Sequence, residues 1–179
     1  MKLLIILSSL LISCVSDEIG CDKEPDAIIE NICIYKNQFQ EIDNYDLRKA
    51  INIIDVVWSE KFDVDVFDIS DRYKDPDFNT QIEFVRESEY KGVTKSGTYI
   101  VLLIQESDKK CIANTAIGHE VLHVLGGSYG IDYGDHANSD LFMVFADITD
   151  RSKNSLENII NLKMCSEFCE EDCLRYRIK

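Results

Sequence analysis

The segment GHEVLHVLGG, residues 118–127, contains residue types at a spacing that suits hydrolytic metal chemistry. His119 and His123 stand four residues apart, so on a helix both imidazoles could reach one zinc ion at about 2.0 to 2.1 Å. Glu120 lies one position round the helix, where it could contact a water molecule without binding the metal. Zinc would activate that water, and Glu120 would accept its proton as a peptide carbonyl is attacked. The motif therefore predicts one catalytic Zn²⁺ and hydrolysis of peptide bonds in a protein or peptide substrate.

A hydrolytic zinc site needs a third protein ligand and one open position. The chain has only three histidines, and all of them lie within residues 119–136. We favour His136 as the third ligand because a neutral imidazole matches the other two ligands. Tyr129, Asp132 and Asp135 lie in the same segment and remain the alternatives.

Strand patterns occur on both sides of the first helix pattern. Short apolar or alternating runs predict strands, and they occupy residues 31–37, 62–70, 81–87 and 98–104. The run 98–104 is apolar throughout, which favours a strand buried on both faces. In 62–70 apolar and acidic residues alternate, which predicts one solvated face, and the spacing of these aspartates does not fit a calcium loop.

Three segments have helical patterns. Residues 43–62 repeat apolar side chains at spacings of three and four, with Asp43 or Asn44 as the cap. A second helix, about 112–125, carries the histidine motif, and Gly126 and Gly127 should supply the positive φ that ends it. A final helix is predicted within 152–176.

The N-terminus has the pattern of an export signal. Residues 1–13 are short, positively charged at the start and then apolar, which predicts a secretory signal peptide. The sequence Leu-Ile-Ser-Cys at 11–14 resembles the lipobox of bacterial lipoproteins, which implies lipidation of Cys14. We therefore predict a lipidated tether over 14–30 and one domain over 31–179, exported and anchored to a bacterial envelope membrane. Cleavage after Ser16, which would give a secreted protein, is the alternative.

Cysteine number and net charge limit the class of protein further. An even number of cysteines remains after Cys14 is set aside, which predicts three disulfides in an exported chain; the candidates are Cys21, Cys33, Cys111, Cys165, Cys169 and Cys173. The last three would lie along one helix face, too far apart for one metal ion. A formal net charge of −14 opposes binding to nucleic acid or to anionic headgroups. A monomer that contacts the membrane only through its lipid is expected.

The motif and its surroundings resemble the metzincin zinc proteases. His119, Glu120, His123 and Gly126 match the start of the signature His-Glu-x-x-His-x-x-Gly-x-x-His. DHANSDLFM (135–143) is similar to its continuation, which ends in the Met-turn methionine, and LRKAINIIDVVWSEKF is similar to the first helix of matrixin-like domains.

The resemblance implies an α+β (α/β) fold: a twisted mixed sheet with a first helix and an active-site helix, then a small C-terminal part with the Met-turn and a final helix. It also implies that Met143 packs beneath the zinc ligands and that substrate lies along an edge strand. The segment Glu87–Lys95 is the candidate for that strand.

One departure from the signature leaves two functions open. The signature places its third ligand three residues after the glycine, where this chain has Tyr129, so reaching His136 requires a seven-residue insertion. The glycines of this segment make such a bulge feasible. The leading hypothesis is a zinc endopeptidase with Glu120 as general base. The alternative is a surface lipoprotein, weakly active or inactive, that uses the domain to bind proteins. A closed four-ligand zinc site is less favoured, because the chain offers three histidines and no spare cysteine nearby.

Overall fold

The computed structural model of the chain describes residues 19–105, 108, 111–131, 136, 140–142 and 154–169. Within these residues the protein is α+β, with one mixed sheet of five strands and four α-helices, as expected from the sequence. The strands are β1 (Ala27–Ile29), β2 (Ile32–Tyr35), β3 (Gln81–Val85), β4 (Gly92–Lys95) and β5 (Tyr99–Leu103). The helices are α1 (Asn44–Phe62), α2 (Val66–Tyr73), α3 (Ile117–Ser128) and α4 (Leu156–Phe168), and a 3₁₀ turn spans Ile112–Asn114.

The sheet has the order β1-β2-β3-β5-β4. Strands β2, β3 and β5 are parallel, while β1 and β4 run antiparallel to their neighbours at the two edges. The predictions of strands at 31–37, 81–87 and 98–104 are confirmed. Strand β5 lies between β3 and β4 with its central residues buried, which explains its continuous apolar run.

The sheet begins inside the segment that we predicted to be a tether. Ala27–Ile29 pairs with β2 through a two-residue turn in which Glu30 and Asn31 have φ of 48° and 67°. Positive φ at both turn residues matches the right-handed twist of a tight hairpin. The boundary at residue 30 was therefore wrong, because a three-residue strand is too short to stand out after a polar segment that contains Pro25.

Helix α1 confirms the prediction for 43–62. Asp43 is its N-cap, and the Asp43 side chain accepts a hydrogen bond from the Tyr45 N–H at 2.8 Å. The apolar stripe of the helix is buried, and Trp58 within it is fully enclosed. The helix packs against α2, α3 and α4, so it forms the centre of the helical layer.

The prediction of a strand at 62–70 is wrong. Asp63 ends α1 in a left-handed conformation, and Asp65 caps α2 by accepting a hydrogen bond from the Phe67 N–H at 2.8 Å. Ile69 and Tyr73, four residues apart, are the buried face of α2. Alternation of aspartate and apolar residues resembled a strand, but each of these aspartates occupies a helix end, where a short acidic side chain is favoured.

The expected end of the histidine helix is also wrong. Gly126 and Gly127 lie within α3, and the positive φ of 67° belongs to Gly130. Gly130 donates its N–H to the Gly127 carbonyl, and Ile131 donates to the Gly126 carbonyl at 2.7 Å. These two hydrogen bonds form a Schellman motif, in which the left-handed glycine follows the helix. The helix therefore continues one turn beyond His123.

Disulfides tie both ends of the described chain to the core. Cys21 is bonded to Cys33 of β2, and Cys111 is bonded to Cys169 at the end of α4. Cys165 is also disulfide-bonded. The prediction that these cysteines form disulfides is confirmed for these five.

Several predictions concern residues outside the described part of the chain. They are the signal segment 1–13 and the residues Cys14, Asp132, Asp135, Met143 and Cys173. Among the helices that the structure describes, none has the length and apolar character that crossing a bilayer requires.

Candidate metal centre and cleft

Three imidazoles meet at one point beside α3. The Nε2 atoms of His119 and His123 are 3.3 Å apart, and His136 Nε2 lies 3.0 Å from the first and 2.9 Å from the second. His119 and His123 project from neighbouring turns of the helix, whereas His136 reaches them from a left-handed backbone conformation with φ of 53°. The structure therefore brings together the three histidines that the sequence singled out.

The arrangement fits a tetrahedral zinc ion. Bonds of about 2.0 to 2.1 Å at tetrahedral angles place ligand atoms roughly 3.3 Å apart. The three Nε2 separations of 2.9 to 3.3 Å are close to this value. Imidazole nitrogen is a preferred zinc ligand, and a set of three leaves a fourth position open. These residues could thus hold one metal ion and still admit a further ligand.

Tyr129, the residue at the expected third-ligand position, lies elsewhere. Its ring packs against Trp58 with centroids 5.6 Å apart, and the Arg72 guanidinium sits 5.3 Å from its centroid. Burial raises the pKa of the Tyr129 hydroxyl, although a hydrogen bond with Arg72 opposes this shift. Tyr129 therefore caps α3 and contacts α1 and α2, at a distance from the histidine cluster.

Phe142 forms an apolar support for the histidines. It is fully buried, and its ring centroid lies 5.1 Å from that of His119, 4.4 Å from His123 and 5.3 Å from His136. The sequence assigned the supporting position to Met143, the next residue, which lies outside the described residues. An aromatic ring touching all three imidazoles restricts their rotation and keeps water from that side.

Glu120 faces the sheet edge. It is buried, and its Oε2 accepts a hydrogen bond of 2.8 Å from the Thr94 hydroxyl on β4. Gly92 makes this approach possible, because a Cβ atom there would lie 2.7 Å from Glu120 Oε1 and 2.7 Å from Ala116 Cβ. Neither of these two β4 residues was predicted from the sequence as part of the site. A glycine inside a predicted strand was the available signal, since it often marks a close approach of another element.

Glu157 contacts the histidine cluster from helix α4. This residue of the first turn of α4 is buried, and its Oε1 lies 3.1 Å from His119 Nδ1. This contact was not predicted from the sequence, because 38 residues separate the two partners and no local pattern marks it.

The histidines open into a cleft of about 520 Å³. Strand β4 forms one wall with Gly92, Val93 and Thr94, and α3 forms the other with the histidine motif and Gly127. Tyr90, which is exposed, lies at the rim. The predicted segment Glu87–Lys95 thus contains an edge strand, and this strand borders the cleft.

No protein-family model, curated protein or solved structure matches the chain. The features from which a function can be inferred are therefore the histidine cluster, Glu120 and the cleft beside them.

Proposed function

We propose that this protein is a zinc-dependent endopeptidase of the metzincin type, exported and held at a bacterial envelope membrane by a lipid on Cys14. The observation that carries the proposal is the convergence of three histidine Nε2 atoms in a cleft that Glu120 also lines. A purely structural zinc site has no use for a general base or for an open cleft.

When bound, zinc would act as a Lewis acid that polarises the scissile carbonyl and lowers the pKa of a water molecule. Glu120 accepts the proton of that water at its carboxylate and passes it to the leaving amine nitrogen. Thr94 holds Oε2 of this carboxylate, and the absence of a side chain at Gly92 leaves room for it. Phe142 keeps water from the far side of the histidines.

The edge strand β4 offers a place for an extended peptide. Leu103 donates its N–H to the Lys91 carbonyl at 2.9 Å, and bonded pairs alternate along antiparallel strands. The backbone N–H and C=O groups of Gly92 and Thr94 consequently point away from β5, towards the free edge. A peptide added at this edge would lie beside the histidines, and its main chain would supply most of the contacts, whatever its sequence.

The test is cleavage of an unfolded protein by the full chain, expressed with export so that its disulfides form. Activity should require zinc, disappear with a chelator and return when zinc is restored. Glu120→Gln should lower kcat by about 10²- to 10⁴-fold, the usual contribution of a general base. Glu60→Gln, at an exposed position on α1, is the matched control and should leave kcat unchanged.

Two outcomes would contradict the proposal. Cleavage that survives Glu120→Gln would exclude the mechanism. Zinc binding by the native chain without cleavage of any unfolded protein would favour the alternative, a lipoprotein that uses this domain to bind proteins.

A further inference from the structure

We infer that Glu157 is a positioning residue for the metal centre: its carboxylate accepts a hydrogen bond from His119 Nδ1 and so directs Nε2 of the same ring towards the metal. This inference rests on the proposed function of the histidine cluster as a zinc site. It assigns a role to a side chain from a helix that contains none of the three histidines.

The contact between the two residues has a defined direction. Glu157 Oε1 lies 3.1 Å from His119 Nδ1, and the side chains are only 7% and 22% exposed. An ionised carboxylate can only accept, so Nδ1 carries the proton and donates it. In a neutral imidazole the other nitrogen, Nε2, then has the free lone pair that a metal requires. Nε2 is the atom of His119 that faces His123 and His136.

The start of α4 is built to hold a negative charge at this point. Ser155 caps the helix by accepting a hydrogen bond from the Asn158 N–H at 3.3 Å. Glu157 follows within the first turn, where the helix dipole favours an anionic side chain. The Glu157 N–H also donates to the Leu141 carbonyl at 2.9 Å, which ties α4 to the segment that carries Phe142. Glu157 thus holds His119 through its side chain. Through its backbone it holds the segment of Phe142, which packs against the histidines.

Close packing of α3 on α4 brings Glu157 within reach. Gly118 precedes His119, and a Cβ atom at Gly118 would lie 3.0 Å from Ile160 Cγ2 and 3.2 Å from Asn161 Oδ1. The two helices therefore meet closely at this position, where a Cβ atom would require its neighbours to shift by a few tenths of an ångström. Because Gly118 and His119 are adjacent, this spacing sets the distance between the imidazole and the carboxylate.

A buried glutamate is costly unless its charge is compensated. Packing of α4 does not require a glutamate at this position. The backbone N–H of Glu157 donates to the Leu141 carbonyl and would do so with any side chain except proline. Carboxylates that accept from a ligating histidine fix its ring and raise its basicity as a ligand, and losing one typically costs 10- to 100-fold in metal affinity. Such a role explains why the charge is retained.

The experiment measures zinc affinity of the full, disulfide-bonded chain by competition with a chromophoric chelator. Glu157→Ala should weaken zinc binding by about 10- to 100-fold. Glu157→Gln keeps an acceptor oxygen without the charge and has nearly the same volume, so it should fold and should recover part of the lost affinity. Glu167→Ala, which removes an exposed glutamate of the same helix, is the matched control and should leave zinc affinity unchanged.

A second readout is the visible absorption spectrum of the cobalt-substituted chain. Glu157→Ala should change the orientation of His119 and so shift the absorption bands. Glu157→Gln should shift them less. Wild-type zinc affinity and an unchanged cobalt spectrum in Glu157→Ala, with only a lower melting temperature, would overturn the inference. A native chain that binds zinc without cleaving protein would contradict the proposed function and still test Glu157, whereas a native chain that binds no zinc would overturn both.

Discussion

The two sides of helix α3 hold Glu120 and His119 in different ways. On the sheet side, a strand edge with a glycine and one hydroxyl contacts Glu120 and leaves the cleft open. On the α4 side, a tightly packed helix presents a buried carboxylate to His119. Under the proposed function the difference separates two tasks: the sheet side would position the proton acceptor at the cleft, and the α4 side would position a metal ligand. Substitutions on the two sides should therefore have different measurable effects.

The largest effect should come from the residue that belongs to neither side. His136→Ala removes one of the three Nε2 atoms that could bind the metal. Zinc affinity should therefore fall by more than about 100-fold, the largest loss expected when a carboxylate that only hydrogen-bonds to a ligand is removed. Tyr129→Phe is the control and should bind zinc normally, because this ring packs on Trp58. Both can be measured by zinc content after dialysis and by chelator competition. Unchanged zinc affinity in His136→Ala would place the third ligand elsewhere.

On the sheet side, Gly92→Ala should reduce turnover while sparing the metal. The new Cβ would lie 2.7 Å from Glu120 Oε1, so the carboxylate must move. We expect kcat to fall by about 100-fold, within the range for a displaced general base, and overpacking to destabilise the fold by about 1 to 3 kcal/mol. Steady-state kinetics and zinc content are measured side by side, with Gly20→Ala as the control, because a Cβ atom there would make only an ordinary contact, 3.5 Å from Asn79 Nδ2. Loss of zinc together with activity would show that the two sides are not separate.

Thr94→Val should give a smaller effect in the same direction. It keeps the shape of the side chain and removes the hydroxyl that donates to Glu120 at 2.8 Å. A hydrogen bond to a charged group contributes about 1.5 to 3 kcal/mol, so kcat should fall by about 10- to 100-fold with normal zinc affinity. Thr94→Ser restores the donor and should restore most of the activity. If the serine variant is as slow as the valine variant, the hydroxyl does not position Glu120.

Substitution of Asp55, on α1, should have the smallest effect on the site. Burial raises the pKa of Asp55 from 3.8 to about 7, although the Tyr73 hydroxyl, which donates to its Oδ1 at 2.5 Å, opposes this shift. Between these values the folded state keeps a proton that the unfolded state releases, so the free energy of unfolding falls as pH rises from about 4 to about 7.

Asp55→Asn should abolish this slope and leave zinc affinity and kcat unchanged. Denaturant unfolding across that pH range measures the slope. The exposed Asp68→Asn on α2 is the control and should keep it. An unaltered slope in Asp55→Asn would mean that another group titrates there.

The elements that the sequence predicted correctly are those marked by local patterns. Helix α1 has a cap and an apolar stripe, and β5 has a continuous apolar run, so a few consecutive residues are enough to identify each. Helix α2 was missed because its aspartates alternate with apolar residues as in a strand, although they serve as caps. Strand β1 was missed because it has only three residues.

The residues of the site also divide into those that a local pattern marks and those that no local pattern marks. His119, Glu120 and His123 follow from a spacing of four on one helix. His136 was the favoured third ligand among four candidates, and the other three stayed open because sequence does not reveal how an inserted segment returns to the helix. Thr94 and Glu157 could not be found at all, since their contacts cross 26 and 38 residues and depend on how the sheet edge and α4 pack against α3.

The bond between Cys111 and Cys169 joins residues 58 apart, and this interval contains all three histidines with Glu120 and Glu157. Closing such a loop restricts the unfolded chain by about 4 kcal/mol in the chain-entropy model. The three histidines therefore stay at a high effective concentration even when the domain opens transiently. The strand that contributes Gly92 and Thr94 lies outside this covalent loop. Under the proposed function, reversible opening of the domain would thus release the sheet edge while the covalent loop keeps the three histidines together, able to bind a metal ion again.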